Sequence, residues 1–158
     1  NDGHLVAYFR DGGGEAWLAH AAAHGHRVRC FGRVRSPIEG VEVHPASVEG
    51  FARALESARG VIATAGNHLP AECGELGIPL LALHARGDTE QKMNAHLVVH
   101  AGLGESGRID VVDPAVFARY VSRLGDTVSA RRAPPLALPT VTEALVSSLE
   151  ALRRARSR

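Results

Sequence analysis

Short apolar runs alternate with segments of helical periodicity along most of this chain. The apolar runs predict buried β-strands at residues 4–9, 27–31, 41–44, 61–65, 79–83 and 108–112. Periodicity and helix-boundary residues predict helices at 15–24, 48–58, 70–77, 89–101 and 114–124. Strands that alternate with helices are typical of a doubly wound parallel sheet, so we predict a three-layer, six-stranded, Rossmann-like α/β fold. The expected strand order is 3-2-1-4-5-6, with the switch point between strands one and four.

The pattern changes near the C-terminus. Residues 126–139 contain Pro134, Pro135 and Pro139, so we interpret 1–125 as one domain and 126–139 as a linker. Thr140 and Glu143 have the spacing of a capping box and predict a last helix within 140–158. Its apolar stripe is expected to pack back on the domain or on a missing N-terminal domain. The chain begins without methionine, and we expect it to be a piece of a longer protein.

Composition narrows the function classes. The 158 residues are 45% hydrophobic and 22% charged, as in an ordinary globular domain, and carry a net charge of +1. That charge gives no electrostatic reason to expect nucleic acid as a partner, and no apolar run is long enough for a transmembrane segment. Lys92 is the single lysine, so a phosphate would be bound by arginine or by backbone groups. Cys30 and Cys73 lie in apolar surroundings and are predicted to be reduced core thiols in a cytoplasmic protein.

Polar residues follow the carboxyl ends of two neighbouring predicted strands. Gly66, Asn67 and Glu72 come after the strand at 61–65, and another polar group follows the strand at 79–83. That second group consists of Glu90, Gln91 and Asn94. Ligands bind at this edge of open α/β sheets, so both clusters are candidate binding residues.

The spacing of these residues resembles a known family. Glu72 follows Gly66 by six residues, and then come Gly77-Ile78-Pro79, Glu90-Gln91 and Asn94. This order resembles the C-terminal, donor-binding domain of GT-B glycosyltransferases of the family 28 type. That group includes the N-acetylglucosaminyl transferase that forms lipid II and uncharacterised bacterial and archaeal relatives. The agreement in spacing extends from about residue 45 to residue 104.

The resemblance implies that the chain binds a nucleotide sugar, a UDP-sugar first of all, as a substrate and without a cofactor. It implies that Glu72 accepts hydrogen bonds from both ribose hydroxyls, and that Glu90 and Gln91 contact the donor sugar. Asn94 is expected to support their loop. The acceptor site and the general base are expected in a missing N-terminal domain or a partner subunit, so the catalytic residues cannot be named in this chain.

Backbone groups are expected to hold the rest of the nucleotide. The resemblance implies that Gly66, Asn67 and His68 bind the diphosphate at a helix N-terminus. Leu69 stands where relatives often have a hydroxyl residue, which leaves backbone contacts to phosphate. Ser47 and Val48 match the loop whose backbone groups read the uracil.

A glycine-rich turn forms a third candidate site. Gly12, Gly13 and Gly14 connect the first strand to the first helix and are predicted to face the loop at 65–70 across the switch point. Their backbone N–H groups can bind phosphate, or the turn can simply need permissive backbone. From the sequence, both interpretations stay open.

Other classes of function compete with this interpretation. Among nine histidines, two pairs have i, i+4 spacing, but no acid or cysteine completes either set, so we expect no metal. A UDP-sugar hydrolase or epimerase could use the same half-fold. A non-catalytic subunit of a split glycosyltransferase could do so as well.

Overall fold

A computed structural model describes residues 3–124 as a six-stranded parallel sheet with helices on both faces. The strands are β1 (His4–Phe9), β2 (Val28–Gly32), β3 (Val41–His44), β4 (Ala58–Thr64), β5 (Leu80–His84) and β6 (Gly104–Arg108). The helices are α1 (Glu15–Ala23), α2 (Val48–Glu56), α3 (Leu69–Leu76), α4 (Thr89–His100) and α5 (Pro114–Leu124). The strand order is β3-β2-β1-β4-β5-β6. The predicted fold class and strand order are therefore confirmed.

Two apolar layers hold the helices against the sheet. Leu5, Ala7 and Phe9 of β1 face α1 and α5, whereas Val6 faces the opposite layer. Side chains of successive strand residues point to opposite faces, which explains why the middle of each central strand is apolar. Cys30 and Cys73 are free and buried in opposite layers. Burial raises the pKa of Cys30 to about 11 and that of Cys73 to about 12, so neither thiol is a nucleophile at neutral pH.

Capping residues set the helix boundaries that lie near the carboxyl edge. Ser47 Oγ accepts from the N–H of Gly50, and Asp88 Oδ1 accepts from the N–H of Gln91. Asp113 Oδ1 does the same for Ala115, one residue after Pro114. At the other end of α3, Gly77 has φ of 64°, the left-handed conformation of a glycine C-cap. Local hydrogen bonds and one glycine therefore set these four helix boundaries.

The predicted position of the last strand is wrong. The sequence favours a strand at 108–112 after a flexible connection, but β6 is Gly104–Arg108. Gly104 lies so close to the Leu80 carbonyl that no side chain fits there. Ile109 and Val112, which suggested the strand, are loop residues that pack against the α1–α5 layer. A glycine-containing edge strand gives little apolar signal, and this explains the error.

Helix α5 covers β6 through charged and polar contacts. Glu105 of β6 is 8% exposed, and its two carboxylate oxygens accept from Arg119 at 3.1 Å and Arg123 at 3.0 Å. The hydroxyl of Tyr120 reaches the centre of the sheet and donates to the Val61 carbonyl at 3.0 Å. A buried carboxylate needs such partners, so α5 and β6 depend on each other.

The predicted linker at 126–139 and the predicted helix at 140–158 lie outside the described residues. Among the residues that are described, no helix has the length and hydropathy needed to span a membrane.

Replacing Tyr120 with Phe tests the contact between α5 and the sheet. The variant removes the hydroxyl that donates to Val61, and we expect a loss of about 1–2 kcal/mol in the free energy of unfolding. Tyr8→Phe is the matched control, because the Tyr8 hydroxyl makes no hydrogen bond within residues 3–124, and we expect a change below about 0.5 kcal/mol. Denaturant titration measures both. Equal losses would contradict the assignment of the Tyr120 hydrogen bond.

Three histidines surround the ring of Phe117 between α1 and α5. The centroids of His20, His24 and His26 lie 4.8, 5.7 and 5.9 Å from that of Phe117. Burial, with the neighbouring His24, lowers the pKa of His20. Burial, with Arg59 and His24, lowers the pKa of His26. The folded state therefore favours neutral imidazoles at this contact.

Acidification should weaken the fold through these groups. Because the folded-state pKa values of His20 and His26 lie below the unfolded value of 6.5, their contribution is complete above pH 6.5 and is lost as the pH falls through the folded values. His4 adds to the effect, since burial and Arg29 lower its pKa. We expect the Tm to decrease between about pH 7.5 and about pH 5.

In the double variant His20→Gln/His26→Gln, the Tm should decrease less as the pH falls, because only the contribution of His4 remains. Thermal unfolding followed by circular dichroism at several pH values measures it. A Tm that falls as steeply in the variant as in the parent protein would overturn the assignment.

Candidate functional site

A cleft of about 610 Å³ opens at the carboxyl edge of the sheet, beside the switch point between β1 and β4. Loops after β1, β3 and β4 form it, together with the first turns of α2 and α3. Its lining residues are Tyr8, Arg10, Asp11, Phe31, Ala46, Ser47, Val48, Phe51, Thr64, Gly66, Asn67, His68, Leu69, Glu72 and Gln91. Seven of the twelve residues predicted to bind the donor line this cleft: Ser47, Val48, Gly66, Asn67, His68, Glu72 and Gln91.

The loop from Gly66 to Leu69 leads into α3 and presents free N–H groups. Those of His68 and Leu69 have no acceptor in the described part of the chain. The N–H of Gly66 is already used, because it donates to the Thr64 carbonyl at 2.8 Å. Gly66 itself has no other heavy atom within 4 Å of the position that a Cβ would take, and its φ is not positive. The fold therefore gives no reason for glycine at position 66, whereas a ligand in the cleft would.

The N-terminus of α2 forms another wall. Ser47 uses its hydroxyl as the helix cap, so its side chain is engaged while Val48, 89% exposed, lies open to the cleft. Behind them, three aromatic rings pack together: the centroid of Phe51 lies 5.5 Å from that of Tyr8 and 5.6 Å from that of Phe31. This wall gives one end of the cleft an apolar surface.

Two side chains offer hydrogen bonds to a ligand. Glu72, in the first turn of α3, is exposed and its carboxylate bonds to no other residue within 3–124, so both carboxylate oxygens are available. Gln91 Oε1 accepts from the N–H of Ala85 at 2.9 Å, which fixes the orientation of the amide. Its NH₂ group is left to donate, so Gln91 can act on a ligand as a hydrogen-bond donor.

The structure puts Glu90 and Asn94 outside the lining of the cleft. Glu90 is exposed on α4, one residue before Gln91 and turned about 100° away from it. Asn94 Nδ2 donates to the Ala65 carbonyl at 3.1 Å and to Asn67 Oδ1 at 2.9 Å. Asn94 therefore ties α4 to the loop after β4.

Local structure accounts for the three glycines of the first turn. Gly12 and Gly13 have φ of 79° and 96°, and a side chain at Gly14 would overlap the ring of Phe9. Gly14 also caps α1, since its carbonyl accepts from Trp17 and Leu18. None of the three lines the cleft, although Arg10 and Asp11 just before them do. Their phosphate contact stays a prediction.

Sequence reasoning left eight residues of the lining out of the donor site: Tyr8, Arg10, Asp11, Phe31, Ala46, Phe51, Thr64 and Leu69. The pair Arg10-Asp11 had an available signal, because charged residues directly after a buried strand lie at the binding edge of such a sheet. The aromatic residues had none, since each also fits an apolar core position.

The cleft carries few fixed charges. Arg10 is positive, whereas Asp11 and Glu72 are negative. Within residues 3–124, no three His, Cys, Asp or Glu side chains converge as a metal site. That a cofactor is not needed stays a prediction.

Several solved glycosyltransferase structures are similar to this chain. SnogD from Streptomyces nogalater is 14% identical, with 93% of this chain and 43% of that chain covered and a TM-score of 0.63. MurG from Acinetobacter baumannii is 16% identical, with 94% and 52% covered and a TM-score of 0.59. The spinosyn rhamnosyltransferase SpnG, complexed with thymidine diphosphate, is 16% identical, with 85% and 38% covered and a TM-score of 0.51. This chain thus spans about half or less of the length of each.

A search of curated proteins finds no match. The family model described as glycosyl transferase family 1 matches residues 1–125, which is most of the chain. Together with the structural likeness, this confirms the predicted resemblance to GT-B glycosyltransferases. The chain therefore belongs to glycosyl transferase family 1 and has the Rossmann-like α/β fold of GT-B glycosyltransferases.

Proposed function

We propose that this chain is the donor-binding domain of a glycosyltransferase and that its donor is a nucleoside diphosphate sugar, a UDP-sugar first of all. One observation carries the proposal: a single cleft combines two helix N-termini, an unpartnered carboxylate and an oriented amide. These groups match the phosphate, ribose and sugar parts of such a donor.

The helix N-termini support binding of the diphosphate. The N–H groups of His68 and Leu69 lie at the N-terminus of α3, where the helix dipole favours negative charge. During transfer, the bond between the sugar and the diphosphate breaks and negative charge grows on the leaving phosphate. Fixed N–H donors stabilise that charge without rearrangement, so the same groups serve both binding and the transition state.

The walls of the cleft support binding of the nucleoside. The rings of Tyr8 and Phe51 and the exposed Val48 give the flat faces of a pyrimidine an apolar surface. Backbone groups of Ser47 and Val48 would read the edge of the base. Glu72 would accept from the two ribose hydroxyls, because both of its oxygens are available.

At the sugar end, Gln91 would donate to a hydroxyl oxygen of the sugar, and Glu90 would contact the sugar after a change of side-chain rotamer. The acceptor and the general base would come from an N-terminal domain or a partner subunit. Product analysis on the full-length protein, with and without an acceptor, separates glycosyl transfer from hydrolysis or epimerisation of the donor.

Replacing Glu72 with Ala tests the nucleoside assignment. We expect calorimetry to show UDP binding weakened about 100-fold or more, because the variant loses two hydrogen bonds to a charged group, each worth about 1.5–3 kcal/mol. 2′-Deoxy-UDP should bind the parent protein more weakly than UDP does. It should bind the Glu72→Ala protein as tightly as UDP does, since the carboxylate that distinguishes them is gone.

Glu75→Ala is the matched control, because Glu75 is exposed on the same helix and does not line the cleft. We expect it to bind UDP as the parent protein does. If the parent protein binds neither UDP nor UDP-N-acetylglucosamine, the donor proposal is wrong. If UDP binds and Glu72→Ala has no effect, only the role of Glu72 is wrong.

Replacing Gly66 with Ala tests whether this glycine keeps space for a ligand. The backbone conformation suits alanine and the position is open, so we expect an unchanged or slightly higher Tm. The added methyl group would intrude on the cleft, and we expect UDP binding to weaken several-fold. Gly14→Ala should instead lower the Tm, because its methyl group would overlap the ring of Phe9. An unchanged UDP affinity in Gly66→Ala would contradict the assignment.

A further inference from the structure

Arg10 occupies a special position at the cleft. It directly follows β1, the strand beside the switch point, and it lines the cleft together with the loop that enters α3. No other arginine or lysine of the described chain lines the cleft. The N–H groups of His68 and Leu69 line the same space. One residue with a full positive charge and two residues with unpaired N–H groups therefore line the same cleft.

The guanidinium of Arg10 is also unengaged. Six other arginines of residues 3–124 form ion pairs: Arg27 and Arg29 with Glu42, Arg53 with Glu49, Arg108 with Asp110, and Arg119 and Arg123 with Glu105. Within the same residues, Arg10 has neither a hydrogen bond nor an ion pair, although Asp11 is its neighbour in sequence. Its donors are free for a ligand.

The charges of the lining residues make Arg10 important for binding a diphosphate. The lining holds two carboxylates, Asp11 and Glu72, and a diphosphate would add two or more negative charges. Without Arg10, the fixed charges of the lining would all be negative and would repel the ligand. Helix N-termini carry only about half a unit of positive charge each, so they offset part of this repulsion.

We propose that Arg10 is the residue by which this cleft selects a nucleoside diphosphate over a nucleoside monophosphate. The inference rests on the proposed donor site and assigns its phosphate specificity to one side chain. The planar guanidinium donates to two phosphate oxygens at once, which suits the oxygens of two linked phosphates. The N–H groups at α3 can hold one phosphate, and Arg10 adds the interaction that a second phosphate makes.

The test compares UDP, UMP and uridine on the parent protein and on Arg10→Ala by calorimetry at low salt. We expect the parent protein to bind UDP more tightly than UMP, and Arg10→Ala to bind UDP about 10-fold to 100-fold more weakly than the parent does. Uridine should bind both proteins equally within about twofold, because the nucleoside end of the cleft is unchanged. The preference for UDP over UMP should largely disappear in Arg10→Ala.

Two further variants sharpen the result. The UDP affinity of Arg10→Lys should lie between those of the parent protein and Arg10→Ala, since lysine keeps the charge and loses the planar pair of donors. Asp11→Asn should tighten UDP binding, because it removes a carboxylate from the same cleft. Arg33→Ala is the matched control: it removes the same charge from the loop after β2, outside the lining, and should leave UDP affinity unchanged.

The outcomes separate two kinds of failure. A parent protein that binds no nucleotide overturns the donor site and this inference with it. If UDP binds but Arg10→Ala binds it equally well, only this inference fails. It also fails if Arg10→Ala weakens the binding of UDP and of uridine equally. It fails as well if Arg33→Ala weakens UDP binding as much as Arg10→Ala does. Arg10 is exposed, so Arg10→Ala should unfold at the Tm of the parent protein within about 1 °C.

Discussion

Burial of the parallel sheet on both faces is the constraint on which the rest of this structure depends. Ile62 and Ala63 of β4 are fully buried, and so are Leu81 and Ala82 of β5. A polar side chain in the middle of these strands would lose its water without gaining a partner, so the polar residues of β4 and β5 lie near the strand ends. Because all strands run in one direction, their carboxyl ends and the helix N-termini that follow them gather at one edge. The cleft is a product of that arrangement.

Local signals made much of the fold predictable. The strands at 4–9 and 41–44 have the predicted bounds, and the strand order is the expected one. The middle of each buried central strand is apolar, and capping residues such as Asp88 are recognisable from the few residues around them. β6 was not predictable in this way, because the buried Glu105 is stabilised by Arg119 and Arg123 from a helix further along the chain. A carboxylate in a predicted loop gives no sign that two arginines bury it.

The candidate site likewise combines residues that local sequence signals predict with residues that they do not. Gly66, Glu72 and Gln91 follow their strands in a spacing that the sequence displays, and the structure puts all three at one cleft. The aromatic wall could not be predicted, since Tyr8, Phe31 and Phe51 come from three elements and meet only through the sheet. The glycines show most clearly what the sequence alone does not distinguish. Gly12 and Gly66 look alike in sequence, yet the backbone needs the first for its positive φ and does not need the second.

Asn94 gives the two loops of the cleft a mechanical connection. Its amide bonds α4 to Ala65 and Asn67 across 27 and more positions of sequence, while Gln91 on the same helix bonds to Ala85. A rotation or shift of α4 would therefore move the loop that precedes α3 and the loop that follows β5 together. A ligand that contacts both loops would therefore contact two segments that are hydrogen-bonded to the same helix.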